Sequence, residues 1–205
     1  EKIKNDQLQT ELKFLKSQYH PHFLFNALNT VYFQIDESNK APRRTLEMIS
    51  ELLRYQLYGG NQKVSILQEI DYLKTYIALR KLRMSERLRL RVEFPPELNE
   101  LNIYPLLFLP LVENAFKYVG GDYQLDIIMK WENNRISLFI RNSIPELSAE
   151  DEALRKSVDE RQRKGIGLVN LRRRLSLLYP SKHRLETRKE ETEFVAELMI
   201  EIEEI

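Results

Sequence analysis

The chain has 205 residues, of which 42% are hydrophobic. That is enough for a buried core and for one large or two small domains, and it excludes a mainly disordered polypeptide. With 32 Lys and Arg against 31 Asp and Glu the formal net charge is +1, so no bulk field draws nucleic acid or an anionic membrane, and either partner would need a local patch. The absence of cysteine excludes disulfides, thiol catalysis and cysteine-based zinc sites and is compatible with a reducing compartment.

No apolar run reaches the ~18–20 residues that span a bilayer, and the first residues are polar, so neither a membrane helix nor a signal peptide is expected. From Leu8 the series Leu8, Leu12, Leu15, Tyr19, His22 advances by alternating fours and threes, the seam of a helix expected to pair with another helix, of this chain or of a second one. The pattern is already running at Glu1, as expected for a piece of something longer. Pro21 is expected to kink this helix or start a new one, because it lacks an N–H. Apolar residues continue from Phe23 to Ile35, and a polar loop is predicted near 36–42. A second helix is predicted over about 45–58, with Leu46, Ile49, Leu52, Leu53 and Leu57 on one stripe, ended by Gly59-Gly60. A third, over about 67–84, has Ser65 as its candidate cap and Gln68 three residues on.

After Glu86 the period changes to two. Leu88, Leu90, Val92 and Phe94 alternate with charged residues and predict a strand stopped by Pro95-Pro96. A short apolar helix over about 106–119 ends at Gly120-Gly121. A hairpin follows, with Leu125, Ile127, Met129 and Trp131 on one face, Asn133-Asn134 near the turn, then Ile136, Leu138 and Ile140. Residues 143–164 are highly charged and read as a loop or a solvated helix. A helix over about 168–178 and two strands, around 185–188 and 194–202, complete the order. The reading is α+β: a helical region over 1–86, then 87–205 with an antiparallel-rich sheet carrying at least two helices on one face.

Three constellations could carry chemistry. In His20-Pro21-His22-Phe23-Leu24-Phe25-Asn26 a metal reading is weak, since residues two apart on a helix diverge and the only other histidine is His183. A bland reading makes His22 a capping or partly buried residue. The alternative is that an accessible neutral imidazole presents a ring nitrogen as nucleophile toward a phosphoryl group. In Leu111-Val112-Glu113-Asn114-Ala115-Phe116-Lys117-Tyr118, Glu113 and Lys117 could be a surface ion pair, whereas Asn114 needs a partner if buried, and Mg²⁺ takes such oxygens. In Lys164-Gly165-Ile166-Gly167-Leu168, two glycines precede a helix whose free N–H groups and dipole favour an anion. Arg172-Arg173-Arg174 reads as a solvated face and receives no role.

Taken in order, these resemble the phosphoacceptor, N-box and G-box of sensor histidine kinases, specifically the LytS/YehU-like family. The matching residues are Gln18 with Pro21 to Asn29, Leu111 to Ala115 with Lys117, and Gly165 to Leu168 with Asn170, Arg174 and Leu175. The resemblance implies that 1–86 is a dimerisation and phosphotransfer region in which ATP phosphorylates His22. It implies that 87–205 is a GHKL-type (Bergerat) ATP-binding α/β sandwich with a mixed, mostly antiparallel sheet. Asn114 would contact Mg²⁺ and phosphates, Lys117 a phosphate, and Gly165 and Gly167 would let the loop wrap the triphosphate. Glu113, Tyr118, Ile166 and Leu168 would line the same site. The phosphoryl group would pass to a receiver domain of a response regulator.

The implied protein is a homodimer through its N-terminal helices, the cytoplasmic domain of an inner-membrane sensor anchored by a segment upstream, without a nucleic-acid partner. Pro110 stands where related ATPases carry a water-activating glutamate, which fits transfer to histidine better than hydrolysis. The family's adenine-reading aspartate falls at Asn142, and the glycines that normally follow it are replaced by Ser143-Ile144-Pro145. An amide oxygen can still accept a hydrogen bond from the adenine amino group but without charge assistance. The competing expectation is therefore a catalytically weak or inactive dimeric docking module with a degenerate nucleotide site.

Overall fold

The computed structural model describes residues 21–58, 62–96, 98, 101–145 and 166–202. They fall into two compact units that divide between Gly60 and Asn61. The seam from Leu8 to Tyr19, the pair Gly59-Gly60, the charged stretch beyond Pro145, and Gly165 lie outside the described residues.

The first unit is a helical hairpin of α1 (Pro21–Gln34) and α2 (Lys40–Tyr58). Pro21 opens α1, where a missing N–H costs no helical bond. α2 starts earlier than its apolar stripe indicates, because Pro42 sits in the first turn, where proline is tolerated. The intervening turn is closed by Asp36, which accepts from the Ser38 N–H at 2.8 Å, and by Arg43 Nη2, which donates to the Ile35 carbonyl at 2.8 Å. Tyr32 Oη donates to Glu47 Oε1 at 2.9 Å across the hairpin, and the Phe25 and Tyr58 rings stack at 6.2 Å. These contacts leave much of the apolar surface uncovered. α1 buries no residue, with Phe23 71% and Phe33 78% exposed, and Leu52 is the buried residue of α2.

The second unit contains β1 (Val64–Ser65), α3 (Ile66–Lys81), β2 (Arg89–Glu93), β3 (Asn102–Ile103), α4 (Leu109–Tyr118), β4 (Gln124–Glu132), β5 (Arg135–Ser143), α5 (Ile166–Leu178), β6 (His183–Lys189) and β7 (Glu193–Glu201). Its main sheet has the order β2-β4-β5-β7-β6, and β1 and β3 form a separate two-stranded antiparallel ladder. β2 runs parallel to β4, while the β4/β5, β5/β7 and β7/β6 pairs are antiparallel. The fold is therefore α+β with a mixed, mostly antiparallel sheet.

Period-two alternation places Leu125, Ile127, Met129, Ile136, Leu138, Ile140, Ala196, Leu198 and Ile200 in one buried layer. The helices supply the other half of the core, including Ile66, Ile70 and Leu73 of α3, Val112 and Phe116 of α4, and Leu171 and Leu175 of α5. Asn133 and Asn134 both have positive φ, 50° and 60°, as a two-residue hairpin turn between twisted strands requires.

α3 was grouped by sequence with the helices before it, and it packs in the second unit. Its cap fixes it there: Ser65 Oγ accepts from the Leu67 N–H at 3.3 Å, Gln68 Oε1 accepts from the Ser65 N–H at 3.3 Å, and the Ile66 N–H donates to the Leu101 carbonyl at 2.8 Å.

Candidate functional site

His22 is the second residue of α1, in the first unit, and its side chain is exposed. Among the described residues, no side-chain hydrogen bond or ion pair engages the imidazole. His20 lies outside the described residues, and His183 Nδ1 stands 2.7 Å from the Tyr179 carbonyl, in use within the fold of the second unit. Among the described residues no group of three or more His, Asp or Glu side chains could hold a metal ion by itself.

α4 carries Glu113, Asn114, Lys117 and Tyr118. Its inner face buries Leu109, Leu111, Val112, Ala115 and Phe116, and this fixes the rotation of the helix. Glu113 and Lys117 are then exposed as residues, with the Glu113 carboxyl lying against enough neighbouring protein to lose part of its hydration, and Asn114 and Tyr118 are half-buried at the margin. Among the described residues no ion pair joins Glu113 to Lys117. Lys117 Nζ instead lies 5.0 Å from the Tyr118 ring centroid. Loss of hydration raises the Glu113 carboxyl above the usual carboxylate range, and the Arg80 guanidinium of α3 partly opposes this. Arg80 itself stands over the Phe116 ring at 5.7 Å. Pro110 occupies the first turn of α4, a position without a helical N–H partner.

Asn142 lies near the end of β5, in register with Leu125 of β4 on one side and Phe194 of β7 on the other. It is fully buried in an otherwise apolar layer. Its Nδ2 donates to the Ser143 carbonyl at 3.2 Å, whereas Oδ1 is buried and accepts no hydrogen bond. Oδ1 is thus a spare acceptor with the chemistry to receive an amino group such as that of adenine, and, being buried, it must be uncovered before a ligand can reach it.

The end of α4 and the end of β5 are bonded together. The Gly120 N–H donates to the Ser143 carbonyl at 3.0 Å, Ser143 Oγ donates to the Gly120 carbonyl at 2.6 Å, and the Gln124 N–H donates to Ser143 Oγ at 2.9 Å. A Cβ on Gly120 would stand 2.8 Å from Pro145 Cδ, and Gly121 has φ +59° with Ile144 O 3.0 Å from the position of a Cβ. The sequence reading of this pair as a simple helix terminator is thus too narrow, because the glycines also admit the segment that follows Asn142.

α5 begins at Ile166, so Gly167 lies within its first turn rather than ahead of the helix as the sequence reading had it. Among the described residues a Cβ there would meet nothing within 4 Å, so their packing does not require the glycine. Leu168 is half-buried and Asn170 exposed. α4 packs against α3, α5, β4 and β5, so it is the helix shared by all of these parts.

Three side chains make contacts that the sequence does not assign, although Arg174 is among the motif residues. Arg172 and Arg173 are exposed, as a solvated face requires, though Arg172 Nη1 also donates to the Leu185 carbonyl at 3.0 Å, whereas the half-buried Arg174 departs from that reading and donates Nη2 to the Pro105 carbonyl at 2.8 Å. Glu69 is fully buried, and its Oε2 accepts from the Leu106 N–H at 2.9 Å. A signal for it existed: Glu69 interrupts the apolar face formed by Ile66, Ile70 and Leu73.

Residues 10–88 match the model of the histidine kinase family. The chain is similar to sensor histidine kinases. It is 29% identical over 180 residues to the sensor protein kinase HptS of Staphylococcus aureus, in strains USA300 and NCTC 8325 alike, with 85% of this chain covered. The chain spans 35% of the length of those relatives. Among solved structures, the histidine kinase AdeS of Acinetobacter baumannii aligns with a TM-score of 0.46 at 13% identity, covering 92% of this chain and 98% of that one. The catalytic domain of histidine kinase ThkA aligns with a TM-score of 0.44 at 17% identity, covering 68% of this chain and 93% of that one.

Proposed function

We propose that the chain is the phosphotransfer and ATP-binding part of a two-component sensor histidine kinase of the LytS/YehU-like group. The observation that carries the reading is His22: it lies in the segment matched to the histidine kinase family and is exposed on an apolar helix. Residues 1–86 are assigned to dimerisation and phosphotransfer and residues 87–205 to a GHKL-type ATP-binding domain. α3 falls within the family match by sequence and packs within the second unit. ATP with Mg²⁺ supplies the transferable phosphoryl group.

In this reading the unprotonated ring nitrogen of His22 attacks the terminal phosphorus, the bond to the ADP oxygen breaks, and the ring loses its N–H proton. Asn114 offers its amide oxygen toward the metal. Lys117 offers a positive charge to a phosphate, and the first-turn N–H groups of α5 around Gly167 offer donors to the same anion. Glu113, Tyr118 and Leu168 would line the site and Asn142 Oδ1 would receive the adenine amino group, while Gly165 and Ile166 are assigned to it by sequence motif alone. The phosphoryl group then moves to an aspartate of a receiver domain.

The uncovered apolar side chains of α1, led by Phe23 and Phe33, support a homodimer in which the hairpin is completed by a second copy. No helix among the described residues is long and apolar enough to cross a membrane. We assign the chain to the cytoplasmic side of an inner-membrane sensor, with its anchor elsewhere in the polypeptide.

The test is incubation with labelled ATP and Mg²⁺. An acid-labile, base-stable label that disappears in His22→Ala and moves to a receiver domain is the expected result. No label at high ATP, in the chain alone or joined to its sensor segment, sinks the proposal. A second reading, a docking module with a weakened nucleotide site, draws support from the uncharged Asn142. Calorimetric titration decides it: Mg²⁺-dependent binding of an ATP analogue that is lost in Asn114→Ala counts against it.

A further inference from the structure

The segment from Leu101 to Leu106, which leads into α4, is held from several sides within the second unit. β3 pairs with β1 directly ahead of α3, and the Ile66 N–H donates to the Leu101 carbonyl. The buried Glu69 takes the Leu106 N–H at 2.9 Å. From α5, Arg174 donates Nη2 to the Pro105 carbonyl at 2.8 Å and Nη1 to the Leu106 carbonyl at 3.4 Å. Just beyond α5, Tyr179 Oη accepts from the Tyr104 N–H at 3.2 Å, and the two rings meet edge to face at 5.8 Å. Leu106 itself has φ +58°, a conformation unfavourable for a residue with a Cβ. Such a turn persists only when its surroundings over-determine it, and here a carboxylate and a guanidinium on different helices grip the same peptide.

We propose that Glu69 and Arg174 are positioning residues. They clamp the 104–106 turn between α3 and α5 and thereby set where α4 presents Asn114 and Lys117 relative to the first turn of α5. The identity of the ligand rests on the nucleotide reading above; the clamp itself rests on the hydrogen bonds. A buried carboxylate on one helix and a bifurcated guanidinium on another make the start of α4 the joint through which a displacement of either helix reaches the site.

The test uses the 205-residue chain: hydrogen exchange without nucleotide, then titration with a fluorescent ATP analogue and Mg²⁺. In Glu69→Ala and Arg174→Ala, exchange across residues 104–118 is expected to accelerate and the analogue to bind about tenfold more weakly, the size of a typical coupling between sites. Glu69→Gln, which keeps an acceptor oxygen for the Leu106 N–H, restores both. A purely structural role would lower the melting temperature without changing the Kd of the folded fraction. Parent-like protection of 104–118 in Glu69→Ala overturns the proposal, as does lost protection with unchanged Kd, or a Glu69→Gln as impaired as Glu69→Ala. Should Glu69→Ala fail to fold, Arg174→Lys carries the test, since it keeps the charge and removes the two-carbonyl grip. A parent that binds no nucleotide while the exchange response persists removes the reading of the site and leaves the clamp standing.

Discussion

Gly120 and Ser143 are bonded reciprocally: each carbonyl accepts a hydrogen bond from the other residue, from the Gly120 N–H at 3.0 Å and from Ser143 Oγ at 2.6 Å. This pair staples the last turn after the helix bearing Asn114 to the strand bearing Asn142. It fixes the distance between two elements of the candidate site that lie far apart in sequence. Because Ser143 is buried, Ser143→Ala takes the Ser143 Oγ partner from the Gln124 N–H and leaves the Gly120 carbonyl with the Tyr123 N–H at 3.1 Å. A loss of about 1–3 kcal/mol is expected, measured by urea denaturation, and an unchanged midpoint would show that water replaces the hydroxyl at no cost.

Asn142 sets stability against binding. Its orphaned Oδ1 costs the empty protein about 1–3 kcal/mol, so Asn142→Leu is expected to raise the melting temperature while abolishing binding of an ATP analogue. Asn142→Asp is expected to do the reverse, tightening the analogue through a charge-assisted bond and destabilising the empty protein through a buried carboxylate. Calorimetric Kd values beside thermal melts read both effects. The same direction of change in both variants would refute the assignment of Oδ1 to the ligand.

Glu113 gives the protein a defined pH response. Its carboxyl is raised by loss of hydration, so in the window between the ordinary carboxylate range and its raised value the folded state holds more proton than the unfolded chain. Stability from this group therefore falls as pH rises through that window. Glu113→Gln should melt slightly higher than the parent at neutral pH, and the gap should close on acidification below the usual carboxylate range. A gap that widens on acidification would reverse the sign and discredit the burial argument.

The β4/β5 turn offers a local test of the fold. Asn133 and Asn134 both occupy the left-handed region, where glycine is unstrained and a β-branched residue is not. Asn134→Gly should stabilise by up to about 1 kcal/mol and Asn134→Val should destabilise by at least as much. Equal melting temperatures for the two would mean that the turn tolerates any residue.

The elements that could be read in advance are those whose determinants are local. The capping box of Ser65 and Gln68 marks the start of α3, and period-two alternation marks β2, β4, β5 and β7. The β1/β3 ladder is two residues long on each side and leaves no periodic trace. The parallel pairing of β2 with β4 depends on a crossover that no window of sequence contains. In the sequence, His22, Asn114 and Asn142 were legible only as candidates, through the order of the motifs they resemble. The uses of Glu69 and Arg174 were not, because their partners lie across the fold, Leu106 37 residues from Glu69 and Pro105 69 residues from Arg174.

β7 is the last described strand in sequence order yet an inner strand, paired with β5 on one side and β6 on the other. As the chain leaves the ribosome, the β4/β5 hairpin can close early, but the far edge of β5 and the apolar row Ile136, Leu138, Ile140 wait for Glu193–Glu201 to be synthesised. Until then β5 is an unpaired edge beside an uncovered apolar layer, the condition in which nascent chains associate with one another. A ribosome that stalls before Glu193 thus leaves a sticky intermediate, and the ordering of this sheet makes clean folding of the unit wait for the synthesis of β7.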